Sequence, residues 1–136
     1  MIVADTSAWV EYDRATGSVV HRRVAELIAS EGPLSVTEPV IMEVLAGARS
    51  AERELDLRRL FIRFTLLRFE AVADFGAAAR IYRRCRAVGF TPRGMVDCMI
   101  AAVAWRHGAA LLAQDVDQQR VGQIVGINLD QASPTR

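Results

Sequence analysis

The sequence contains no lysine, and all seventeen of its basic residues are arginine. Every mechanism that requires a lysine is thereby excluded, as are the phosphate-cradling P-loop and the G-x-S-x-G nucleophile elbow, neither of which occurs. Histidine is scarce: His21 and His107 have no metal-ligand spacing between them, and His107, near an expected helix C-terminus, reads as a partner of the helix dipole. The two cysteines, Cys85 and Cys98, fall outside any CxxC or Cys/His pattern, so free thiols in a reducing compartment are expected. Long apolar runs are also missing. The longest, Met95 to Trp105, is interrupted by an aspartate and falls short of the ~20 residues of a membrane span. The N-terminus reaches an acid at once, without the basic and apolar segments of a secretory leader, so a cytoplasmic protein without membrane contact is expected. A strongly basic balance is absent too, since the net charge is +1. Four acids neutralised by bound metal would lift that balance to +5.

What is present suits one folded domain over residues 1–136: half of the chain is hydrophobic, and there is neither an internal repeat nor a low-complexity tract. Residues 1–5 read as a short buried strand, after which TSAWVEY enters a helix with Thr6 or Ser7 as its cap. A helix is expected over about Ser18 to Ser30, stopped by Gly32-Pro33. The strand LSV then leads to a helix from Thr37 to Ala48, with Pro39 in its first turn. Residues 51–64 read as helix, 65–69 as strand, and Glu70 to Val88 as a long amphipathic helix closed by Gly89. Pro92 is expected to start a helix ending at His107-Gly108. Residues 109–114 form a strand delivering Asp115, a short helix follows, and residues 126–129 can supply a last strand. The alternation of strands and helices predicts an α/β sandwich on a mainly parallel sheet.

Most of the sixteen acids lie in polar stretches, but four interrupt apolar runs where a charge is costly. Asp5 follows MIVA and Asp115 follows AALLAQ, which puts both at strand carboxyl ends, where ligands gather in open parallel sheets. Glu43 stands inside the helical VIMEVLA, with Ala46 and Gly47 leaving room on its face. Asp97 stands inside MVDCMIAAVAW, with Gly94, Ala101 and Ala104 on the same face. One buried acid would mean little, because a helix cap or an arginine could satisfy it. Four that converge need a compensating cation, and an all-oxygen donor set selects a hard metal such as Mg²⁺ or Mn²⁺. Metal held in this way supports hydrolysis of a phosphodiester without a catalytic histidine.

Among the arginines, Arg80, Arg83 and Arg84 lie at helical spacing and form either a phosphate-binding ridge or a solvated face. Arg93, four residues before Asp97, either grips a scissile phosphate or pairs with the acids. Trp9 and Trp105 lie in apolar context and are expected in the core. Two other classes compete with a nuclease. An aspartyl-phosphate protein also gathers acids around Mg²⁺, but its usual versions hold the phosphoryl group with a lysine, which this chain lacks. A catalytically silent binding module on the same fold is the second.

The opening IVADTSAWVEY, the segment EPVIMEVLAGA and the block MVDCMIAAVAWRHGAALLAQDVD, in that order, resemble the PIN-domain ribonucleases of the VapC toxin type. The resemblance spans nearly the whole chain. It implies a PIN-like three-layer α/β/α sandwich with a short central sheet, and metal-binding acids at Asp5, Glu43, Asp97 and Asp115, with Asp117 two residues further. It also implies support of the site by Ser7 and its neighbour Thr6 in the DTS motif. The sequence departs from the family at Ala113, where Thr or Ser is frequent, and at Gln118, where an aromatic is frequent. The resemblance further implies a Mg²⁺-dependent endoribonuclease cutting structured RNA such as tRNA, as a homodimer. A cognate VapB-type antitoxin is implied to inhibit it, in a higher hetero-oligomer.

Overall fold

A computed structural model describes residues 1–134. The chain runs β1 (Ile2–Ala4), α1 (Thr6–Asp13), α2 (Val19–Ala29), β2 (Leu34–Val36), α3 (Glu38–Ala46), α4 (Ala51–Phe61), β3 (Thr65–Leu66), α5 (Ala71–Ala87), α6 (Val96–Arg106), β4 (Ala110–Leu112) and α7 (Val116–Val125). The four strands form one parallel sheet in the order β3-β2-β1-β4. Val3 lies between Ser35 on one side and Leu111 on the other, and β1, β2 and β4 are buried almost throughout, as strands covered on both faces must be.

The strand order determines where the helices go. The steps from β1 to β2 and from β2 to β3 run in one direction, whereas the step from β3 to β4 returns past β1. Right-handed crossovers therefore put α1 to α4 on one face and α5 and α6 on the other. The packing agrees: α5, α6 and α7 lie against one another, as do α1 and α2, and α3 and α4. The result is the three-layer α/β/α sandwich, with its strand order reversing between β1 and β4. Such a reversal leaves a crevice at the strand carboxyl ends.

Local chemistry explains most helix starts. Ser18 caps α2 by accepting from the His21 amide at 3.0 Å, and Ser50 caps α4 by accepting from the Arg53 amide at 3.0 Å. Pro39 occupies the first turn of α3. Gly126, at φ +91°, ends α7 in the left-handed conformation that glycine adopts without strain.

Several expectations need correction. The cap of α1 is Asp5 itself, rather than Thr6 or Ser7. Helix α6 begins at Val96 and not at Pro92, because proline biases its predecessor away from the helical region and Gly94 gives little helical propensity; residues 91–95 are loop. Strand β3 is only Thr65–Leu66, at the exposed edge of the sheet. Residues 126–129 make a single bridge, Leu111 to Leu129, and no strand, since the chain turns away at Asp130, whose side chain accepts from the Ala132 amide at 3.1 Å. Trp9 is buried among Tyr12, Phe61 and Phe64, but Trp105 is 63% exposed, past the buried face of α6.

Candidate active site

The reversal point lies between β1 and β4, and the chain leaves both strands through an aspartate that caps the next helix. Asp5 follows β1; its Oδ1 accepts from the Ala8 amide at 2.9 Å and from the Ser7 hydroxyl at 2.7 Å. Asp115 follows β4, and its Oδ1 accepts from the Asp117 amide at 2.9 Å. In each, Oδ1 serves the helix and Oδ2 does not take part in the cap.

Ser7 ties the two strand ends together. While its hydroxyl donates to Asp5, its oxygen accepts from the backbone amides of Gln114 and Asp115, each at 2.9 Å. The amide of Asp5 continues the ladder by donating to the Leu112 carbonyl at 3.0 Å. Residues from distant parts of the chain are thus held in one register by a single side chain. Thr6 donates its hydroxyl to Oε1 of Glu43, linking the start of α1 to α3. Asp97 lies in the first turn of α6, and Gln118 donates its side-chain amide to the Asp97 carbonyl at 3.0 Å. Gln118 is fully buried beneath the site, a support that a glutamine in a polar stretch did not announce.

The acids are mutually coupled. Burial first of all, with the charges of Asp97 and Asp115 adding to it, pushes the Asp5 carboxyl up to about 7, against the Ser7 and Ala8 hydrogen bonds that favour its ionised form. Burial likewise leads in raising Asp97 to about 6, followed by the charges of Asp115 and Glu43, and Asp117 acts in the same sense while Arg93 opposes them. Asp5, Glu43, Asp97, Asp115 and Asp117 therefore form one electrostatic group, whose members lie at the ends of β1 and β4, in α3, and in the first turns of α6 and α7. A cavity of about 270 Å³ is lined by Glu43, Asp97 and Asp115, with Arg93, Gly94 and Val96.

Arg93 lies on the loop before α6, not on the helical face of Asp97 as its spacing suggested. Its guanidinium bridges two acids, with NH2 at 2.7 Å from Asp115 Oδ2 and Nε at 2.8 Å from Asp117 Oδ2. Arg80, Arg83 and Arg84 are exposed on α5, and Arg80 and Arg84 line a different depression beside Trp105, so the fold does not bring them to the acids. Ala101 and Ala104, read as clearance around Asp97, are instead fully buried where α6 packs closely. The histidines also lie elsewhere: His21 accepts from the Gly17 amide and His107 caps the C-terminus of α6. A second cavity, of about 460 Å³ and not expected from the sequence, shares Glu43 as a wall and carries Arg14, Arg49 and Arg53. The arginines in LAGARSAER, just after the Glu43 helix, were its available signal.

The fit to a cation can be judged against the other buried acids. Among the described residues Asp5, Asp74 and Asp130 are the buried acids, at 2%, 1% and 8% exposed. Asp74 receives both Nε and NH2 of Arg106 at 2.9 and 2.6 Å, and Asp130 receives Nε and NH2 of Arg23 at 3.1 Å each. Among the described residues Asp5 has no such partner; only a hydroxyl and an amide reach it, while its acidic neighbours repel it. An oxygen-only set of carboxylates around an uncompensated buried aspartate suits a hard divalent cation. Among the described residues no three candidate ligands stand close enough to share one ion as arranged, with Arg93 on Asp115 and Asp117 and Thr6 on Glu43. Ligation requires these side chains to turn inward.

Comparison with known proteins gives a consistent picture. Residues 2–124 match the family described as PIN domain. The chain is 43% identical over 134 residues to the ribonuclease VapC11 of Mycobacterium tuberculosis, covering 98% of each. Its fold superposes on that of VapBC2 from Rickettsia felis, solved with a promoter DNA fragment, with a TM-score of 0.74 at 18% identity, covering 96% of this chain and 98% of that one. It also superposes on Mycobacterium tuberculosis VapC20, described as a sarcin-ricin loop cleaving toxin, with a TM-score of 0.68 at 22% identity, covering 90% and 95%. No helix among the described residues is long and apolar enough to cross a membrane.

Proposed function

This chain belongs to the PIN-domain family, as a ribonuclease of the VapC type, and from that premise we propose that Asp5, Glu43, Asp97 and Asp115, with Asp117, form a Mg²⁺-dependent endoribonuclease site. The observation that carries the reading is Asp5, a buried aspartate with no arginine partner among the described residues, whose carboxyl is raised by that burial and by the charges of Asp97 and Asp115 at the reversal of strand order. Mn²⁺ is an expected substitute. When bound, the metal supplies a water of lowered pKa and positive charge to meet the phosphodiester.

The chain's own residues have separable tasks in this scheme. Asp5 and Asp97 hold the ion, and because both carboxyls are raised toward neutrality, binding releases protons and strengthens as pH rises from about 6 to 8. Ser7 positions Asp5 and the backbone that carries Asp115. Thr6 orients Glu43. Arg14, Arg49 and Arg53, in the cavity adjoining Glu43, are the candidates for RNA phosphates outside the reacting centre, with Arg93 at its rim. Arg80, Arg83 and Arg84 are less suited, since they stand apart from the acids.

The names of the relatives extend the proposal to a toxin of a VapBC toxin–antitoxin pair, and the sequence resemblance adds action in the cytoplasm as a homodimer on structured RNA such as tRNA, held inactive in a hetero-oligomer by a VapB-type antitoxin. The test is cleavage of total bacterial RNA by the purified, partner-free protein with Mg²⁺ or Mn²⁺, beside EDTA and an Asp97→Asn variant. Discrete fragments lost in both controls are expected. Metal binding without cleavage of any RNA would favour the silent binding module instead.

A further inference from the structure

We propose that Arg93 is a displaceable counter-ion: it competes with the divalent cation for the oxygens of Asp115 and Asp117, and once displaced it binds the phosphate backbone of the RNA. The proposal rests on the metal site described above. Its starting point is the difference between Arg93 and the other arginines that hold acids. Arg23 and Arg106 each grip one buried carboxylate with two nitrogens, and their side chains are only 18% and 29% exposed. Those pairs are fixtures of the core. Arg93 instead spans two carboxylates, one nitrogen to each, from a side chain that is 70% exposed.

Its position favours exchange. The residue lies between Pro92 and Gly94 in the loop at 91–95, outside any helix or strand, so the side chain is not committed to packing. The atom it occupies matters as well. Oδ1 of Asp115 caps α7 through the Asp117 amide, leaving Oδ2 as the ligand for a cation, and Oδ2 is where NH2 of Arg93 sits at 2.7 Å. One carboxylate oxygen cannot serve the guanidinium and an inner-sphere metal equally well, because the two cations repel each other. Arg93 also lines the same cavity as Glu43 and Asp97, so after leaving the acids its fork remains within a side-chain length of any phosphate in that cavity.

The magnitude follows from exposure. A guanidinium as exposed as that of Arg93 is held only weakly by its two carboxylates, so its removal should strengthen cation binding by about threefold to tenfold. A lysine cannot reproduce a fork across two carboxylates and should fall between arginine and alanine.

The experiment is a calorimetric titration of Mn²⁺ into the unaltered chain, Arg93→Ala, Arg93→Lys and Asp97→Asn at low salt without RNA, followed by RNA cleavage at saturating Mn²⁺. In Arg93→Ala the Mn²⁺ Kd should fall about threefold to tenfold, and the KM for RNA should rise about tenfold with kcat changed less than threefold. A purely structural role would not tighten metal binding. Unchanged or weakened Mn²⁺ affinity in Arg93→Ala overturns the competition, and an unchanged KM overturns the role on RNA. Equal Mn²⁺ affinity in Asp97→Asn and the unaltered chain would mean that the underlying metal site is wrong, a failure distinct from that of Arg93.

Discussion

Asp97→Asn should make the protein more stable at neutral pH when no divalent cation is supplied. Burial and the charges of Asp115 and Glu43 hold the Asp97 carboxyl near 6 against an ordinary value of 3.8, so the folded chain binds this proton more tightly than the unfolded chain does. A raised carboxyl therefore loses stability for the fold as pH climbs from about 4 through about 6. The shift corresponds to about 3 kcal/mol, of which solvent screening of a half-buried group leaves ~1–2 kcal/mol at pH 7.5. Asparagine removes the charge while keeping the size. At roughly 3–5 °C per kcal/mol for a chain of this length, the variant should melt about 3–10 °C higher at pH 7.5 in EDTA. At pH 4.5 the gap should narrow to roughly a third, since the folded carboxyl is then neutral while the unfolded chain still ionises it, and below about pH 3 it should close. Adding Mn²⁺ should reverse the order: at a hundred times its Kd it stabilises the unaltered chain by about 2.7 kcal/mol and the variant by far less. Melting curves at pH 4.5, 6 and 7.5, with EDTA and with Mn²⁺, measure all of this. A variant that melts below the unaltered chain at pH 7.5 in EDTA, or a gap that does not vary with pH, would refute the electrostatic reasoning.

Ser7→Ala removes three hydrogen bonds at the junction of β1 and β4, so chemical denaturation should show a loss of about 1–3 kcal/mol, and Mn²⁺ affinity should drop with it. Asp5→Asn retains an oxygen for the Ala8 amide and should stay folded while losing metal binding; Asp5→Ala also loses the cap and about 1 kcal/mol more, a difference that parallel denaturation curves would reveal. Asp74→Ala removes the closest carboxylate from Arg106, leaving it the Arg68 carbonyl and Glu70, and should destabilise by about 2–3 kcal/mol, with RNA cleavage per folded molecule unchanged.

The features most legible in the sequence were those set by short-range chemistry. An apolar run ending in an acid marked β1 and β4 correctly, because a strand buried on both faces tolerates a charge only where it ends. Asp74 and Asp130 escaped notice although both are buried: their flanking residues are mixed, and burial comes from Arg106 and Arg23, which lie 32 and 107 positions away along the chain. Such pairings leave no local pattern. Helix α6 starts later than its sequence suggests because apolar periodicity in MVDCMIAAVAW points back toward Pro92, whereas Arg93 and Gly94 lie in a loop from which Arg93 meets Asp115 and Asp117. Trp105 was misplaced for a related reason: its apolar neighbours fill the core from the other side of α6 and leave the indole outside. In the sequence Gln118 stands out only as a departure from the family pattern, while its support of the Asp97 carbonyl depends on the packing of α7 against α6.

Anomalous diffraction from crystals soaked in Mn²⁺ decides whether these acids hold a divalent cation. A peak is expected within about 2.5 Å of carboxylate oxygens of both Asp5 and Asp97, with Asp115 or Glu43 turned toward it and Arg93 withdrawn from the ion. Full ribonuclease activity in the same Mn²⁺ buffer, with no peak at these acids or with the ion held elsewhere, would contradict that expectation.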